Sequence, residues 1–143
     1  MNVDIYTDLN ISSSLPKASS QQAAELCQAV NKAFPFLEYA VQNVLYHANA
    51  VEGGGVEQTG FLEGFLLVNW IKLDNLFERH DVRRYTLNAS LLYILAEHNM
   101  GNLIKAHPFK RSCFEVEDER YRTLILAALA TNSGEAVRTL LQA

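Results

Sequence analysis

The closing part of this chain contains two similar segments that can be aligned at an offset of 33 residues. Three pairs of positions are identical: Leu91 and Leu124, Asn99 and Asn132, Gly101 and Gly134. A period of this length is typical of proteins built from stacked helix pairs, in which each pair buries its apolar face against the next. Such proteins usually present a surface to a partner and lack a reaction centre. The duplication therefore says more about architecture than about function.

Each segment predicts a short helix, a turn through asparagine and glycine, and a second helix. The helices are expected at residues 89–97 and 102–106 in the first repeat, and at residues 123–131 and 135–142 in the second repeat. Asn88 is interpreted as a helix N-cap. Pro108 and the aromatic and β-branched residues after it cannot continue a helix, so a projecting loop or hairpin is predicted between the repeats. We assign residues 81–143 to two degenerate repeats.

The chain ahead of the repeats also predicts helices. Ser19 or Ser20 can cap a helix that continues to about residue 33, and Pro35 suits the first turn of the next one. That next helix has apolar residues at spacings of three and four between residues 36 and 45. Further amphipathic helices are expected before the repeats begin.

The chain has 143 residues, enough for one compact unit, and its seven glycines and three prolines are few, which favours helices. Residues 19–80 are assigned to connector and capping helices. Residues 1–18 contain Asn10, three serines at residues 12–14 and Pro16, which predicts a flexible arm. The expected fold is all-α: a helical solenoid of about two repeats capped by an N-terminal helical segment.

Charge and composition exclude several classes of protein. The net charge of −4 removes the electrostatic attraction that nucleic-acid binding usually needs. No stretch approaches the roughly 20 apolar residues of a membrane span, and the N-terminus does not resemble a secretory signal. Cys27 and Cys113 are too few for a disulfide framework. We expect an intracellular protein that binds neither membrane nor nucleic acid.

Residues that usually carry chemistry do not form a recognisable site. His47, His80, His98 and His107 lack the i, i+4 spacing or the neighbouring cysteines of a zinc site. The glycines at residues 53–55 follow a helix and have no lysine nearby, so a connector is favoured over a phosphate loop. We therefore predict no catalytic residue, no metal and no cofactor.

Two alternatives involve the connector helices. Asp74 and Glu78 lie at i, i+4, which suits acid–base chemistry or a cation, but a salt-bridged helix end is the simpler interpretation. The other alternative is a small helical enzyme or ligand carrier with a pocket between the connector helices. Its lining would be Tyr39, Tyr46, Trp70 and Phe77.

Residues 118–143 resemble the ankyrin-repeat pattern. Thr123 stands where the threonine of Thr-Pro-Leu-His opens the first helix, and Ala128 falls in the alanine pair. The apolar face of the second helix is matched by Val137, Leu140 and Leu141. The turn glycine is replaced by Tyr121 and Arg122, and Pro-Leu-His is replaced by Leu124, Ile125 and Leu126.

A longer resemblance runs from about residue 34 to residue 143. Five segments are similar to the junction of large fungal ankyrin-repeat proteins, in many of which a nucleotide-binding NACHT module precedes the repeats: residues 36–40, 74–78, 82–84, 90–97 and 115–121. The resemblance implies a piece of a sensor or scaffold. It transfers no ligand-binding residue, because nothing in this chain matches the NACHT phosphate loop.

If the ankyrin-like interpretation holds, a protein partner is expected to contact the loops and the surfaces of the first helices. The predicted contact residues are Arg83, Arg84, Tyr85, Phe109, Lys110, Arg111, Arg120, Tyr121 and Arg122. The second repeat is also expected to mediate self-association. The residues predicted for that contact are Leu129, Val137, Leu140 and Leu141.

Overall fold

A computed structural model describes residues 15–108 and 112–142, and within those ranges it contains eight α-helices, one 3-10 helix and no β-strand. The α-helices are α1 Gln21–Ala33, α2 Leu37–Gly53, α3 Thr59–Gly64, α4 Leu67–Phe77, α5 Leu91–Glu97, α6 Gly101–Ala106, α7 Leu124–Ala130 and α8 Gly134–Leu141. The 3-10 helix is Asp81–Arg83. The all-α prediction is confirmed. Helices α5 and α6 belong to the first repeat, and α7 and α8 belong to the second.

The start of α1 agrees with its sequence signals. The Ser20 hydroxyl accepts a hydrogen bond from the Ala23 N–H at 3.1 Å, which is the expected N-cap contact. Pro35 is not in the first turn of α2, because that helix begins at Leu37 and the proline lies in the turn before it.

The predicted arm is partly outside the described residues. Its last residues lie against the rest of the chain, since the Pro16 carbonyl accepts a hydrogen bond from Arg84 and the Ala18 N–H donates to Asp81. These two contacts join residues 16–18 to the segment around the 3-10 helix.

The two repeats have matching caps. The Ser90 hydroxyl accepts from the Tyr93 N–H, and the Thr123 hydroxyl accepts from the Leu126 N–H, both at 3.1 Å. Asn88 is not the N-cap, because it lies two residues too early and its N–H donates to the Thr86 hydroxyl. The 33-residue offset therefore applies to the N-caps as well. The prediction of Asn88 as the first of these caps is wrong, because Ser90 has that position.

The turns between paired helices also match. Asn99 has φ 60° and Asn132 has φ 56°, a left-handed conformation that asparagine tolerates better than most side chains. Both turns lead directly into the glycine that begins the second helix of the repeat.

The helix pairs stack side by side. Helix α5 packs against α7, and α6 packs against both α2 and α8, so α2, α6 and α8 form one row. Helix α4 packs against α2, and α1 packs against α4. The core is continuous from the N-terminal helices into both repeats. Because α5 is enclosed by its neighbours, six of its seven residues are buried.

Asparagines join successive members of the row. The Asn49 side-chain oxygen accepts from the Leu103 N–H at 3.1 Å, and the Asn99 oxygen accepts from the Ala136 N–H at 3.1 Å. The two donors are 33 residues apart, so the same position of α6 and of α8 is held by an asparagine from the preceding unit.

Candidate functional site

A shallow groove of about 540 Å³ lies along α7 and the loop before it. The lining of this α7 groove is Arg120, Tyr121, Arg122, Leu126, Leu129 and Ala130. Leu126 is 49 % exposed and Leu129 is 58 % exposed. Because residues three apart are neighbours on a helix surface, the two leucines form one apolar strip that is open to solvent.

The loop side of the groove is held in place by the first repeat. The Tyr121 N–H donates to the Tyr93 hydroxyl at 2.9 Å, and the Arg120 guanidinium lies 4.9 Å from the centre of the Tyr121 ring. Arg122 has φ 69°, an uncommon conformation for a side-chain-bearing residue. The arginines are thus presented by a loop with a defined shape.

Two acidic residues of the same loop, Glu117 and Glu119, bond to the first repeat. Glu117 accepts hydrogen bonds from the Ser90 N–H at 3.0 Å and from the Ser90 hydroxyl at 2.6 Å. Glu119 accepts from the Thr86 N–H at 3.0 Å and from the Thr86 hydroxyl. Burial raises the pKa of Glu119, and its hydrogen bonds to Thr86 oppose that rise.

The two groove arginines, Arg120 and Arg122, are not paired with a carboxylate of the described residues. Arg120 and Arg122 are exposed, and no carboxylate of residues 15–108 or 112–142 forms an ion pair with either one. Glu117 and Glu119 thus bond to the first repeat, whereas Arg120 and Arg122 line the groove. The positive charge of Arg120 also reaches Glu97 of the first repeat and opposes the rise in the pKa of Glu97.

Part of the predicted contact set lies at this groove. Arg120, Tyr121 and Arg122 line it, whereas Phe109, Lys110 and Arg111 lie outside the described residues.

Two predicted contact residues are instead in the interior. Tyr85 is 7 % exposed, and its ring lies 6.2 Å from that of Trp70. Arg84 is largely buried and donates to the carbonyls of Pro16 and Asn75. Both side chains connect the N-terminal helices to the repeats, so they do not offer a surface to a partner.

A second concavity, the polar cleft, has a volume of about 310 Å³ and lies where α2 and α4 meet the turn after α5. Its lining is Gln42, Leu45, Trp70, Asp74, Glu78, Arg83, Tyr85, Glu97, His98 and Met100. The Tyr85 hydroxyl donates to Glu97 Oε1 at 3.0 Å and lies 2.9 Å from His98 Nε2. The cleft therefore brings together ionisable groups from separate parts of the chain, including the predicted contact residue Arg83.

Burial changes the proton affinities in the polar cleft. It raises the pKa of Asp74 to about 7, and the negative charges of Glu78 and Glu97 add to the rise. Burial also raises the pKa of Glu97 and of Tyr85. His98 as a whole is exposed, but its ring faces Tyr85, and desolvation lowers its pKa. The carboxyl group of Asp74 can therefore donate or accept a proton near neutral pH.

The pocket predicted from aromatic residues does not form. Tyr39 and Tyr46 are exposed on the outside of α2, whereas Trp70 and Phe77 belong to the core. The Trp70 indole N–H donates to the Val41 carbonyl at 2.9 Å. Of the four predicted lining residues, Trp70 is shared with the polar cleft that does form. The carboxylates at i, i+4, Asp74 and Glu78, were the sequence signal for this cleft.

The four residues predicted for self-association differ in their exposure to solvent. Leu129 and Leu141 are exposed, so they are available for contact. Leu140 is 8 % exposed, and Val137 packs partly against the core. The apolar face of α8 is thus used mainly within the molecule, and Leu140 cannot contribute to an open surface.

Histidine, cysteine and acidic side chains occur throughout the described part of the chain. There, no three His, Cys, Asp or Glu side chains are grouped so that they could hold a metal ion. Cys27 and Cys113 are both free thiols, and the Cys27 thiol donates to the Leu76 carbonyl. Among the described helices, none combines the length and the apolar character needed to cross a bilayer.

Comparison with protein-family models, with curated proteins and with solved structures found no match to this chain.

Proposed function

We propose that this chain is a non-catalytic protein–protein interaction module, an ankyrin-like scaffold or sensor fragment, and that the α7 groove is its contact surface. The stacked helix pairs, the 33-residue period and the resemblance at residues 118–143 support the ankyrin-like part of the proposal. Helices of residues 19–80 act as the cap that two repeats would otherwise lack.

Matching residues of the two repeats differ in their exposure to solvent at this surface. Leu126 and Leu129 are exposed, whereas the residues 33 positions earlier, Tyr93 and Ala96, are 1 % and 0 % exposed. Tyr93 and Ala96 lie on α5, which packs against α7 of the second repeat, whereas Leu126 and Leu129 on α7 are exposed within the described residues. An apolar strip flanked by Arg120 and Arg122 is what a protein interface with a polar rim requires.

A photo-crosslinking amino acid placed at Leu129 tests this proposal in cells that naturally express the protein. We expect discrete adducts with another protein, because the position lies at the centre of the groove. The control position is Phe114, which is exposed but does not line the groove. Equal adduct patterns at both positions, or no adduct at Leu129, would contradict the proposal.

A second candidate function is supported by the polar cleft. An aspartate with a pKa of about 7 beside Glu97, His98 and Trp70 suits a small-molecule carrier or a small helical enzyme. Trp70 is the one tryptophan of the chain, so its fluorescence reports on the cleft directly. A fragment library that changes this fluorescence in the wild type, and not in Asp74→Asn, would favour the second candidate.

A further inference from the structure

The contacts that bury α5 in the first repeat indicate what kind of segment can bind the matching surface of the second repeat. Helix α5, which carries Tyr93 and Ala96, packs against α7, and the Tyr121 N–H in the loop before α7 donates to the Tyr93 hydroxyl. That loop carries Glu117 and Glu119, which accept hydrogen bonds from Ser90 and Thr86. The surface is thus covered by an acidic segment that continues into an apolar helix.

The second repeat presents the same surface with more positive charge. The positions that match Leu87 and Ala89 of the first repeat are occupied by Arg120 and Arg122. Both arginines are exposed beside Leu126 and Leu129. An acidic occupant gains attraction from both guanidinium groups, whereas a basic occupant is repelled and must also desolvate them.

Resting on the proposed function, we infer that the α7 groove binds an acidic segment of another protein, in which aliphatic or aromatic side chains alternate with carboxylates. The apolar side chains lie on Leu126 and Leu129, and the carboxylates pair with Arg120 and Arg122. A second molecule of this chain is a poorer occupant, because Glu117 and Glu119 of its acidic loop already accept hydrogen bonds within their own molecule.

The probe is a displayed library of random linear peptides, selected against the full chain and then measured by fluorescence anisotropy. We expect the enriched peptides to carry Asp or Glu on both sides of Leu, Ile or Phe. Their affinity should fall at least about tenfold in the double variant Arg120→Glu, Arg122→Glu, and it should weaken as the salt concentration rises.

The matched control is Arg79→Glu, which reverses an exposed arginine that does not line the groove and should leave the affinity unchanged. A charge swap sharpens the test: peptides with Lys in place of their acids should bind the double variant better than the wild type. If the double variant does not fold, Arg120→Gln with Arg122→Gln removes the charges without reversing them, and the same loss of affinity is expected.

The outcomes separate this inference from the proposed function. Enriched peptides that are basic or uncharged, or that bind independently of Arg120 and Arg122, overturn the acidic partner and leave the interaction module intact. A library with no enriched peptide counts against the interaction module as well. Sedimentation that shows a dimer, lost in Leu126→Asp, assigns the groove to a second molecule and overturns the inference.

Discussion

The two repeats differ less in their helices than in what covers them. Tyr93 and Ala96 of the first repeat are buried, and the matching Leu126 and Leu129 of the second repeat are exposed. The difference arises because α5 lies against α7, while nothing in the described residues lies on the corresponding side of α7. The same helix position therefore stabilises the fold in one repeat and forms a candidate binding surface in the other.

The turns of the repeats show the same contrast. Asn99 accepts a hydrogen bond from the Ala136 N–H, whereas the exposed Asn132 side chain has no hydrogen bond to the described residues. A Cβ added to Gly101 would lie 3.1 Å from the Glu135 carbonyl oxygen, but one added to Gly134 would meet open space. A recurring residue thus has a structural role where a neighbouring unit is present and is simply accessible where none is described.

The largest expected effect comes from removing the N-terminal cover of the first repeat. Deletion of residues 1–80 removes α2 from the face of α6, and with it the hydrogen bond from the Leu103 N–H to Asn49. We expect a mostly unfolded fragment, because two repeats bury too little surface alone. Thermal melting followed by circular dichroism, with the full chain as reference, measures the loss. A cooperative transition in the fragment would show that the repeats are stable without a cap.

The second prediction concerns the polar cleft, which the first repeat forms with Glu97 and His98. The second repeat has Ala130 and Thr131 at these positions. Because the folded pKa of Asp74 is about 7 and its ordinary value is 3.8, the folded state holds the proton more tightly. The contribution of Asp74 to stability is therefore full at low pH and declines as pH rises from about 4 to about 7.

Asp74→Asn should remove most of this decline and raise the free energy of unfolding at pH 8 by about 2 kcal/mol, a value reduced for partial exposure. Urea titrations across pH measure it, with Asp118→Asn, an exposed carboxyl, as control. His98 acts in the opposite sense, because its lowered pKa makes the folded state gain stability as pH rises through its titration. An unchanged pH profile in Asp74→Asn would show that the carboxyl is well solvated.

A smaller effect on stability is expected from substitutions at the two matching glycines, Gly101 and Gly134. Gly101→Ala should lower the free energy of unfolding by about 1 kcal/mol, because the new methyl group presses on the backbone of α8 near Glu135. Gly134→Ala should leave stability unchanged or raise it by up to about 1 kcal/mol, since alanine favours helix and the space is open. Equal effects at the two positions would mean that the tight contact at Gly101 relaxes without cost.

The smallest effect on stability is expected from substitutions at the two matching asparagines, Asn99 and Asn132. Asn99→Gly keeps the left-handed turn and removes the hydrogen bond from the Ala136 N–H, so a loss of about 0.5–1 kcal/mol is expected. Asn132→Gly removes no hydrogen bond to the described residues and should change stability by a few tenths of a kcal/mol. Denaturant midpoints of both variants provide the comparison. A larger loss at Asn132 would reveal a contact of its side chain outside the described residues.

Local features of the chain were predictable from sequence. Helix ends agreed to within one or two residues at α1, α5 and α7, because caps, prolines and left-handed turns act over a few neighbouring residues. The loop side of the groove, Arg120 to Arg122, was predicted as contact surface from its place in the repeat. Leu126 was missed, although its alignment with Tyr93 was a usable signal.

The polar cleft was not predictable in the same way. Asp74 and Glu78 are recognisable as a pair on one helix, but no local rule connects them with Glu97 and His98, which lie about 20 positions further along the chain. Their meeting depends on how α4 docks against the turn after α5. Whether a carboxyl group is desolvated is decided by that docking, so the raised pKa of Asp74 is a tertiary property.

By itself, the sequence determined the helical periodicity, the positions of the turns and the duplication of one helix pair. These follow from side-chain spacing, capping groups and backbone preferences, which are local. The tertiary structure alone decided which of two equivalent surfaces is covered, which loop charges face outward, and which aromatic residues are buried. Those outcomes depend on neighbours that are distant in sequence, because burial and desolvation are properties of packed surfaces and not of single residues.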